Sequence, residues 1–381
     1  MSELRELQAL AGVGHTPAYV LNEEKLLKNL EILKSVQKRT GCKILLAQKA
    51  FSMFKVYPII SDYLAGTTAS GLYEAKLGRE EFQGEVHVFA PAYKPENMEA
   101  LLDIADHIVF NSLNQLEKYK TICQKAGKSI GLRINPECST QETTIYDPCA
   151  EGSRLGVTAD KLEIFPEVDG LHFHTLCEQN ADALEMTLKA VEEKFGRYLH
   201  QCKWVNFGGG HHITREDYDI ELLVKLIKNF QEKYQVQVYL EPGEAIALNA
   251  GYLITEVLDI TENHGLKTLI LDASAACHMP DVLEMPYRPP LFKSGQKEEK
   301  PYQYRLSSCT CLAGDIIGDY SFEEEIKIGD RLCFEDMMIY SMVKNNTFNG
   351  MPLPDIGVLH CDGSYEVIKT FSYEDFKGRL S

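Results

Sequence analysis

The sequence predicts an α/β protein that combines a closed (β/α)8 barrel with a C-terminal, mostly antiparallel β domain. Three observations lead to this prediction. Short apolar runs alternate with amphipathic helical stretches through the first two thirds of the chain. After Gly243 the sequence pattern changes to segments typical of β-strands, joined by turns that contain Gly, Pro and Asp. The length of 381 residues also exceeds what one ordinary core accommodates.

Eight short apolar runs are the candidate barrel strands. They are KILLA (43–47), GTTA (66–69), VHVFA (86–90), HIVF (107–110), IGLRI (130–134), LHFHT (171–175), WVNF (204–207) and VYLE (238–241). Eight strands alternating with helices are what a closed parallel barrel requires. A doubly wound open sheet is the competing layout, because the same alternation also suits that fold.

Helical patterns separate these runs. The first helix is predicted to begin at Asn22 as its N-cap, to bury a leucine-rich stripe and to end at Gly41. Further amphipathic stretches cover Leu113 to Lys125, Ala181 to Phe195 and Ile220 to Tyr234.

The second domain is predicted from its β-rich segments, YLITEVLDI, KTLILDAS, DRLCFED and GVLHCDGSYEVIKTF, with a polar loop over Lys293 to Lys300. The predicted boundaries give a barrel over residues 21–244 and a β-rich domain made of 1–20 and 245–381.

Composition narrows the possible functions. A formal net charge of −17 argues against nucleic-acid binding and favours a small cationic substrate. The absence of 18 consecutive apolar residues and of a signal-peptide pattern predicts a protein that is neither membrane-bound nor exported. The 11 scattered cysteines suit reduced thiols in the cytoplasm. CTC at 309–311 lacks a second cluster with zinc spacing, so we predict no metal.

Residues that could take part in catalysis follow several of the predicted barrel strands. Catalytic groups of such barrels lie at the C-terminal ends of the strands. Lys49 follows the first strand. It is either a surface lysine or a Schiff-base lysine whose amine becomes nucleophilic when desolvation depresses its pKa.

The sixth strand ends in His172-Phe173-His174, whose alternation places both imidazoles on one side. This pattern also suits a metal-dependent hydrolase, with further histidines at 211 and 212. A packed, hydrogen-bonded histidine is the simplest interpretation of His172.

The last two strands end in groups that suit an anion and a ring nitrogen. Gly208, Gly209 and Gly210 follow the seventh strand, where backbone N–H groups can approach a phosphate closely. Glu241 ends the eighth strand, where a carboxylate could keep a pyridine nitrogen protonated.

Together, in this order, the motifs resemble the fold-type III pyridoxal-phosphate decarboxylases, which have an alanine-racemase-like TIM barrel. The resemblance runs from TPAYV (16–20) to FNG (348–350). Within that family it is strongest to the branch that decarboxylates carboxynorspermidine and carboxyspermidine in polyamine biosynthesis. The motifs that carry this assignment are NPECS (135–139), YDPC (146–149), SRLG (153–156), HFHTLCE (172–178), EPGEA (241–245), LDASAACHMPDVLEMPYRP (271–289) and CLAGD (311–315).

The resemblance implies a role for each matching residue. Pyridoxal 5′-phosphate would bind covalently to Lys49, with His174 against its ring, Glu241 at its nitrogen and the three glycines around its phosphate. Tyr340 matches a phosphate-binding tyrosine. Cys311 matches the cysteine that reprotonates the substrate carbon, and Asp315 an acidic residue that faces the substrate. Since Cys311 and Asp315 serve the neighbouring subunit in that family, the resemblance implies a homodimer with shared active sites.

Departures from the family pattern point to the substrate. Glu244 replaces an arginine of the ornithine and diaminopimelate enzymes, Leu312 replaces an acidic residue, and Cys177 replaces a small hydroxyl-bearing phosphate contact. We therefore expect a small cationic carboxy-polyamine as the substrate. Its further contacts are predicted to be Asp272 and Asp281, and Arg154 is a predicted neighbour of the cofactor.

Three alternatives to this function remain open. The first keeps the cofactor but uses diaminopimelate, ornithine or arginine, against which EPGE and Leu312 speak. The second is a catalytically inactive regulatory homologue, which retention of both Lys49 and Cys311 argues against. The third is the metal hydrolase built on His172 and His174.

Overall fold

The computed structural model describes residues 3–141 and 144–381. The chain divides into two compact units, one made of Met1–Lys28 with Ala247–Ser381 and the other of Asn29–Ile246. The domain boundaries predicted from the sequence fall after residues 20 and 244.

The strands, in chain order, are β1 (Ala18–Asn22), β2 (Lys43–Ala47), β3 (Gly66–Ala69), β4 (Glu85–Phe89), β5 (His107–Phe110), β6 (Ser129–Arg133), β7 (Gly170–His172), β8 (Trp204–Asn206), β9 (Gln237–Leu240), β10 (Gly251–Asn263), β11 (Leu266–Leu271), β12 (Tyr302–Ser308), β13 (Ile316–Phe322), β14 (Arg331–Glu335), β15 (Asp355–Leu359) and β16 (Tyr365–Lys369).

The α-helices, in the same order, are α1 (Glu3–Gly12), α2 (Glu23–Thr40), α3 (Tyr57–Ser61), α4 (Leu72–Glu81), α5 (Pro95–Ile104), α6 (Leu113–Lys125), α7 (Ala181–Leu199), α8 (Ile220–Tyr234), α9 (Glu244–Ala247), α10 (Ala275–His278), α11 (Asp281–Glu284), α12 (Ser341–Lys344) and α13 (Tyr373–Gly378). Among the described residues, no helix combines the length and the apolar character needed to cross a bilayer.

The unit Asn29–Ile246 contains the predicted barrel. Strands β2 to β9 pair in chain order, all parallel, and β9 closes onto β2 where Lys43 pairs with Tyr239 and Ile44 with Leu240. All eight predicted apolar runs overlap strands of this barrel, so the closed fold is confirmed and the open sheet is excluded. The run LHFHT was predicted too long, because β7 ends at His172 and His174 lies in the loop that follows it. Near-continuous burial of these strands is what a parallel sheet covered on both faces requires.

Local signals set the helix ends as predicted. Asn22 Oδ1 accepts a hydrogen bond from the Lys25 N–H (3.1 Å), which makes Asn22 the N-cap of α2, and Gly41 follows its last residue with a φ of +75°. Helices α6 and α8 have the predicted bounds. The Asp219 side chain caps α8 by accepting from the Leu222 N–H (2.8 Å).

One large side chain fills the barrel interior near the N-terminal ends of its strands. Trp204 begins β8, is 4% exposed, and donates its indole N–H to Ser129 Oγ (2.9 Å). Gly131 and Gly170 leave the room for this indole, because a Cβ at Gly170 would lie 2.1 Å from Trp204 Cδ2 and one at Gly131 would lie 2.5 Å from Cη2.

Gly170→Ala is therefore expected to destabilise the barrel by about 2 to 3 kcal/mol, the usual cost of overpacking a core that cannot relax freely. Urea unfolding followed by tryptophan fluorescence measures this change. Gly378→Ala is the matched control, since a Cβ at that position meets no atom within 4 Å. Equal unfolding midpoints for the two variants would contradict the packing described.

The other unit contains a mixed, mostly antiparallel sheet in the order β13-β12-β11-β10-β1-β15-β16, and β14 also pairs with β10. Its predicted β-rich segments form β10, β11, β14, β15 and β16. A cluster of buried side chains from α1, β1, β10, β14 and β15 forms a core, with Val20, Tyr252 and Ile254 fully buried. The sequence did not indicate α1, β12 or β13.

Candidate active site

A cavity of about 580 Å³ lies within the barrel unit at the C-terminal ends of the strands. Residues that end β2, β3, β4, β6 and β7 line it. The ionisable side chains on its wall are Lys49, Arg133, Tyr146, Asp147, Glu151, Arg154, His172, His174 and Glu241, and Gly209 also contributes. The cavity therefore brings together five residues that the sequence singled out as cofactor neighbours, namely Lys49, Arg154, His174, Gly209 and Glu241.

Lys49 follows β2, and its side chain lines this cavity. Removal from bulk water, reinforced by the positive charge of Arg133, lowers the pKa of Lys49. A larger fraction of the amine is therefore unprotonated at neutral pH than for a surface lysine. Unprotonated amine is the form that attacks a carbonyl carbon.

Glu241 follows β9 and is 9% exposed. Its carboxylate accepts hydrogen bonds from Asn206 Nδ2 (2.8 Å) and from His172 Nε2 (3.2 Å). Burial by itself would raise the pKa of Glu241, but the interaction with His172 and the bond from Asn206 outweigh it and lower that pKa to about 2. The cavity thus holds a fixed negative charge at neutral pH.

His172 ends β7 and supports Glu241. Its ring stacks on Phe89 with centroids 5.4 Å apart, and burial lowers the pKa of His172. A neutral ring that donates from Nε2 fits this position. Among the described residues, the groups of three His, Cys, Asp or Glu side chains that could hold a metal include neither His172 nor His174. The packed, hydrogen-bonded interpretation of His172 therefore fits better than the hydrolase one.

His174 is held as a neutral ring. Its Nδ1 accepts a hydrogen bond from the Gly209 N–H (2.9 Å), and burial, then the charge of Lys49, lowers the pKa of His174 well below its usual range. The acceptor role of Nδ1 places the proton on Nε2. The ring thus has a defined orientation on the cavity wall, which suits stacking against a planar ligand.

The loop Gly208-Gly209-Gly210 after β8 requires glycine, because neighbouring backbone carbonyls lie very close to it. A Cβ at Gly208 would lie 2.4 Å from the Phe173 carbonyl, and one at Gly210 would lie 2.0 Å from the Leu176 carbonyl. Both glycines have positive φ, +72° and +81°. The Gly208 N–H donates to Asn206 Oδ1 (2.8 Å), so two of the three loop N–H groups have protein partners in this structure.

Four further predicted residues of the barrel unit are not among the described residues that line the cavity, namely Cys177, Gly208, Gly210 and Glu244. Cys177 is half-buried, next to the Leu176 that Gly210 approaches. Glu244 begins α9 and lies beside His212 and Glu178. Their predicted contacts, with phosphate and with substrate, remain predictions.

Arg133 was missed by sequence reasoning. It ends β6, is 4% exposed, lies over the Phe89 ring (4.6 Å) and donates to the His174 carbonyl (3.2 Å). Burial lowers the pKa of Arg133 to about 10, so it stays charged at neutral pH. The signal was available, since IGLRI carries a cation at a barrel strand end, as strands with recognised site residues do.

The remaining predicted residues lie in the sheet unit. Cys311 is exposed, and its N–H donates to Asn349 Oδ1 (2.8 Å). Asp315 is 1% exposed and accepts from the hydroxyls of Ser274 and Thr310, both at 2.6 Å. Asp315 therefore has protein partners on its carboxylate within its own unit.

The other three residues of that unit also have defined surroundings. Asp272 accepts from the Thr255 hydroxyl (2.5 Å) and the Glu256 N–H (2.9 Å). Asp281 forms an ion pair with Lys344 (2.5 Å). Tyr340 precedes α12 in the left-handed conformation, with a φ of +55°.

The residues of the barrel cavity fit pyridoxal 5′-phosphate. A lysine of lowered pKa can bind its aldehyde, an ionised carboxylate can face its ring nitrogen, and a neutral imidazole can lie against its ring. The described wall also carries the cations Arg133 and Arg154 beside the anions Asp147 and Glu151, so the two arginines are the side chains that could face its phosphate. Two of these side chains, His174 and Glu241, are held in place by hydrogen bonds with the protein.

Comparisons with known proteins agree with this interpretation. The family described as "Pyridoxal-dependent decarboxylase, C-terminal sheet domain" matches residues 18–338. The chain is 45% identical over 377 residues to the carboxynorspermidine/carboxyspermidine decarboxylase of Campylobacter jejuni, covering 96% of this chain and 98% of that protein. It is 44% identical to the carboxyaminopropylagmatine decarboxylase of Synechocystis, covering 96% and 95%.

A solved structure is similar over the same length. The crystal structure of carboxynorspermidine decarboxylase from Campylobacter jejuni in complex with norspermidine superposes with a TM-score of 0.90 at 44% identity, covering 96% of this chain and 100% of that one.

Proposed function

We propose that this chain, which belongs to the family of pyridoxal-dependent decarboxylases, removes the carboxyl group of carboxynorspermidine and carboxyspermidine to form norspermidine and spermidine in polyamine biosynthesis. The observation that carries this proposal is the 45% identity over 96% of the chain to a decarboxylase of these two compounds. The cavity supports the same chemistry, because Lys49 and Glu241 face one space of about 580 Å³.

The bound cofactor supplies an electron sink that accepts the electrons of the bond to the carboxylate as it breaks. Lys49 would hold the cofactor, and Glu241 would keep a proton on the ring nitrogen. His174 would orient the ring from one face. Arg133 and Arg154, and the remaining loop N–H of Gly210, are the groups of the barrel unit that could balance the phosphate charge.

The charge of the protein supports a cationic substrate. A net charge of −17 raises the local concentration of polyamines around the enzyme. We propose Glu244, Asp272, Asp281 and Asp315 as candidate anionic contacts for substrate ammonium groups. Of these, Asp281 already pairs with Lys344, so a substrate ammonium would have to share or replace that partner.

Carboxyaminopropylagmatine is the second candidate substrate. The 44% identity to the Synechocystis enzyme is nearly the same as that to the Campylobacter enzyme, so overall similarity does not rank the two substrates. Agmatine ends in a planar guanidinium, whereas spermidine ends in an ammonium. A planar guanidinium with several donors needs a different acceptor arrangement from a compact ammonium.

A competition experiment separates these candidates. Purified protein with added pyridoxal phosphate is given equal amounts of carboxynorspermidine, carboxyspermidine and carboxyaminopropylagmatine, and mass spectrometry follows the three products. We expect both carboxytriamines to be consumed with a kcat/KM at least about tenfold above the guanidino compound, a difference of about 1.4 kcal/mol. Preferential consumption of carboxyaminopropylagmatine would instead assign the second function.

We further propose that the enzyme is a cytoplasmic homodimer in which Cys311 and Asp315 of one subunit serve the active site of the other. The 11 cysteines are all unpaired, which suits a reducing compartment. The exposure of Cys311 in a single chain leaves its thiol available to a second subunit.

Cys311→Ser is expected to lower kcat by about 10² to 10⁴, the usual contribution of a positioned proton donor. Stopped and continuous assays of triamine formation measure this loss, and the absorbance of the bound cofactor should stay unchanged. Cys309→Ser is the matched control, because it removes a neighbouring exposed thiol. An unchanged kcat in Cys311→Ser would remove the thiol from the mechanism.

A further inference from the structure

We propose that Glu178, His212 and Glu244 form a binding site for one divalent transition-metal cation on the barrel unit. One ligand atom from each of these three side chains lies within 4.8 Å of the others. None of the three side chains lies on the described wall of the cofactor cavity. A cation bound here would occupy the Glu244 carboxylate, so Glu244 would then bind the metal in place of a substrate ammonium group.

Backbone hydrogen bonds hold the three loops of this site together. The Gln179 N–H donates to the Gly210 carbonyl (3.0 Å), and the His212 N–H donates to the Gln179 carbonyl (3.2 Å). The Thr214 hydroxyl donates to the Ala245 carbonyl (2.7 Å), which ties the same segment to the start of α9. The three ligand side chains are therefore carried by segments whose relative positions are already fixed, as a metal site requires.

His212 is the observation that points to a ligand. The side chain is 7% exposed, and neither of its ring nitrogens has a hydrogen-bond partner among the described residues. Leaving a buried polar group without a partner costs about 1 to 3 kcal/mol. A metal ion at one nitrogen would satisfy that atom.

The charges around the ring suit this role. The two carboxylates supply the negative charge that a divalent ion needs. The nearby cation of Arg215 is already engaged, because its Nε donates to Asp217 (2.5 Å) and a terminal nitrogen donates to the Glu178 carbonyl (3.3 Å).

The types of ligand atom limit which metal ion the site would bind. One imidazole nitrogen and two carboxylate oxygens suit Zn²⁺, Co²⁺, Mn²⁺ or Fe²⁺ rather than Cu⁺ or an iron–sulfur cluster, which need thiolates. Three protein ligands leave at least one position for water.

A second cluster with histidines does not form a metal site. Glu85, His87 and His107 also approach one another. The two rings, however, are stacked with centroids 3.9 Å apart and planes 12° from parallel, so one ion cannot lie in both ring planes. Lys43 in addition forms an ion pair with Glu85, which places a positive charge where the metal would bind.

The experiment uses Co²⁺ as the probe and the protein loaded with pyridoxal phosphate. The protein is dialysed against a chelator and then titrated with Co²⁺, and the visible d–d bands of the bound ion are recorded. We expect saturation at one equivalent and no thiolate-to-cobalt charge-transfer band. Glu178→Gln, at an exposed position that should not affect folding, is expected to weaken binding at least about tenfold.

Glu216→Gln is the matched control, since it removes an exposed carboxylate from the loop that follows His212. Its affinity for Co²⁺ should equal that of the parent protein. His212→Gln provides a second variant, and its cofactor absorbance reports whether the barrel still folds. Absence of saturable binding, a thiolate band, or equal affinity in Glu178→Gln and the parent would overturn the proposal. The titration involves no substrate, so its outcome is independent of the decarboxylase function.

Discussion

Replacing Lys49 by alanine is expected to lower decarboxylation by about four orders of magnitude or more, the scale seen when a covalent nucleophile is removed from an enzyme. The reason is that the amine with a lowered pKa in this cavity would form the covalent bond to the cofactor. The variant should still bind pyridoxal phosphate, but reversibly. Assays of carbon dioxide release, with absorbance spectra before and after borohydride reduction and dialysis, measure both effects.

The control for this experiment is Lys76→Ala, which removes an exposed lysine from α4. Its spectrum and activity should match those of the parent protein. If Lys49→Ala kept a cofactor that borohydride fixes to the protein, another lysine would hold it and the assignment of Lys49 would be wrong.

The second large effect is expected for Glu241→Gln, which removes the negative charge facing the cavity while nearly preserving shape. We expect kcat to fall by about 10² to 10³, as when one preorganised electrostatic group is removed from an active site. A neutral amide would no longer favour a protonated ring nitrogen. Because the pKa of Glu241 is lowered to about 2, the parent carboxylate is ionised at neutral pH, so the charge is present there to be lost.

Glu241→Asp separates charge from position in this test. Aspartate retains the carboxylate and should recover part of the lost activity. Glu193→Gln, an exposed substitution on α7, is the control for loss of a carboxylate elsewhere. Equal activity of Glu241→Gln and the parent protein would show that the ring nitrogen does not depend on this residue.

The barrel was predictable from sequence because its strands are buried on both faces. Such strands read as continuous apolar runs, as in KILLA and HIVF, and turn or cap residues mark the helices between them. The N-terminal ends of α6 and α8 were predictable from local sequence, because the side chains of Ser112 and Asp219 cap them.

Elements of the sheet unit were harder to predict because long-range pairing stabilises them. Strand β12 has the sequence YQYRLSS, whose polar residues hide the alternation that buries Tyr304 and Leu306. Helix α1 buries Glu6 at 2% exposure, because Tyr252 (2.7 Å) and Lys25 (3.1 Å) donate to its carboxylate. A local pattern assigns such an acid to the surface.

Those site residues that lie near the end of a predicted barrel strand could be assigned from the sequence. Lys49, His174 and Glu241 lie within two residues of the ends of barrel strands and line one cavity, whereas the support of Glu241 by Asn206 depends on tertiary packing. The surroundings of Asp281 and Asp315 could not be predicted either, since their partners Lys344 and Ser274 are distant in sequence.

The most direct test of the function is the stoichiometry of the reaction with carboxynorspermidine and with carboxyspermidine. Protein loaded with pyridoxal phosphate is incubated with each compound, and carbon dioxide and the amine product are quantified together, with Lys49→Ala alongside. We predict one carbon dioxide for each norspermidine or spermidine formed, and none from the variant. No release from either carboxytriamine, together with release from diaminopimelate, ornithine or arginine, would contradict the proposed function.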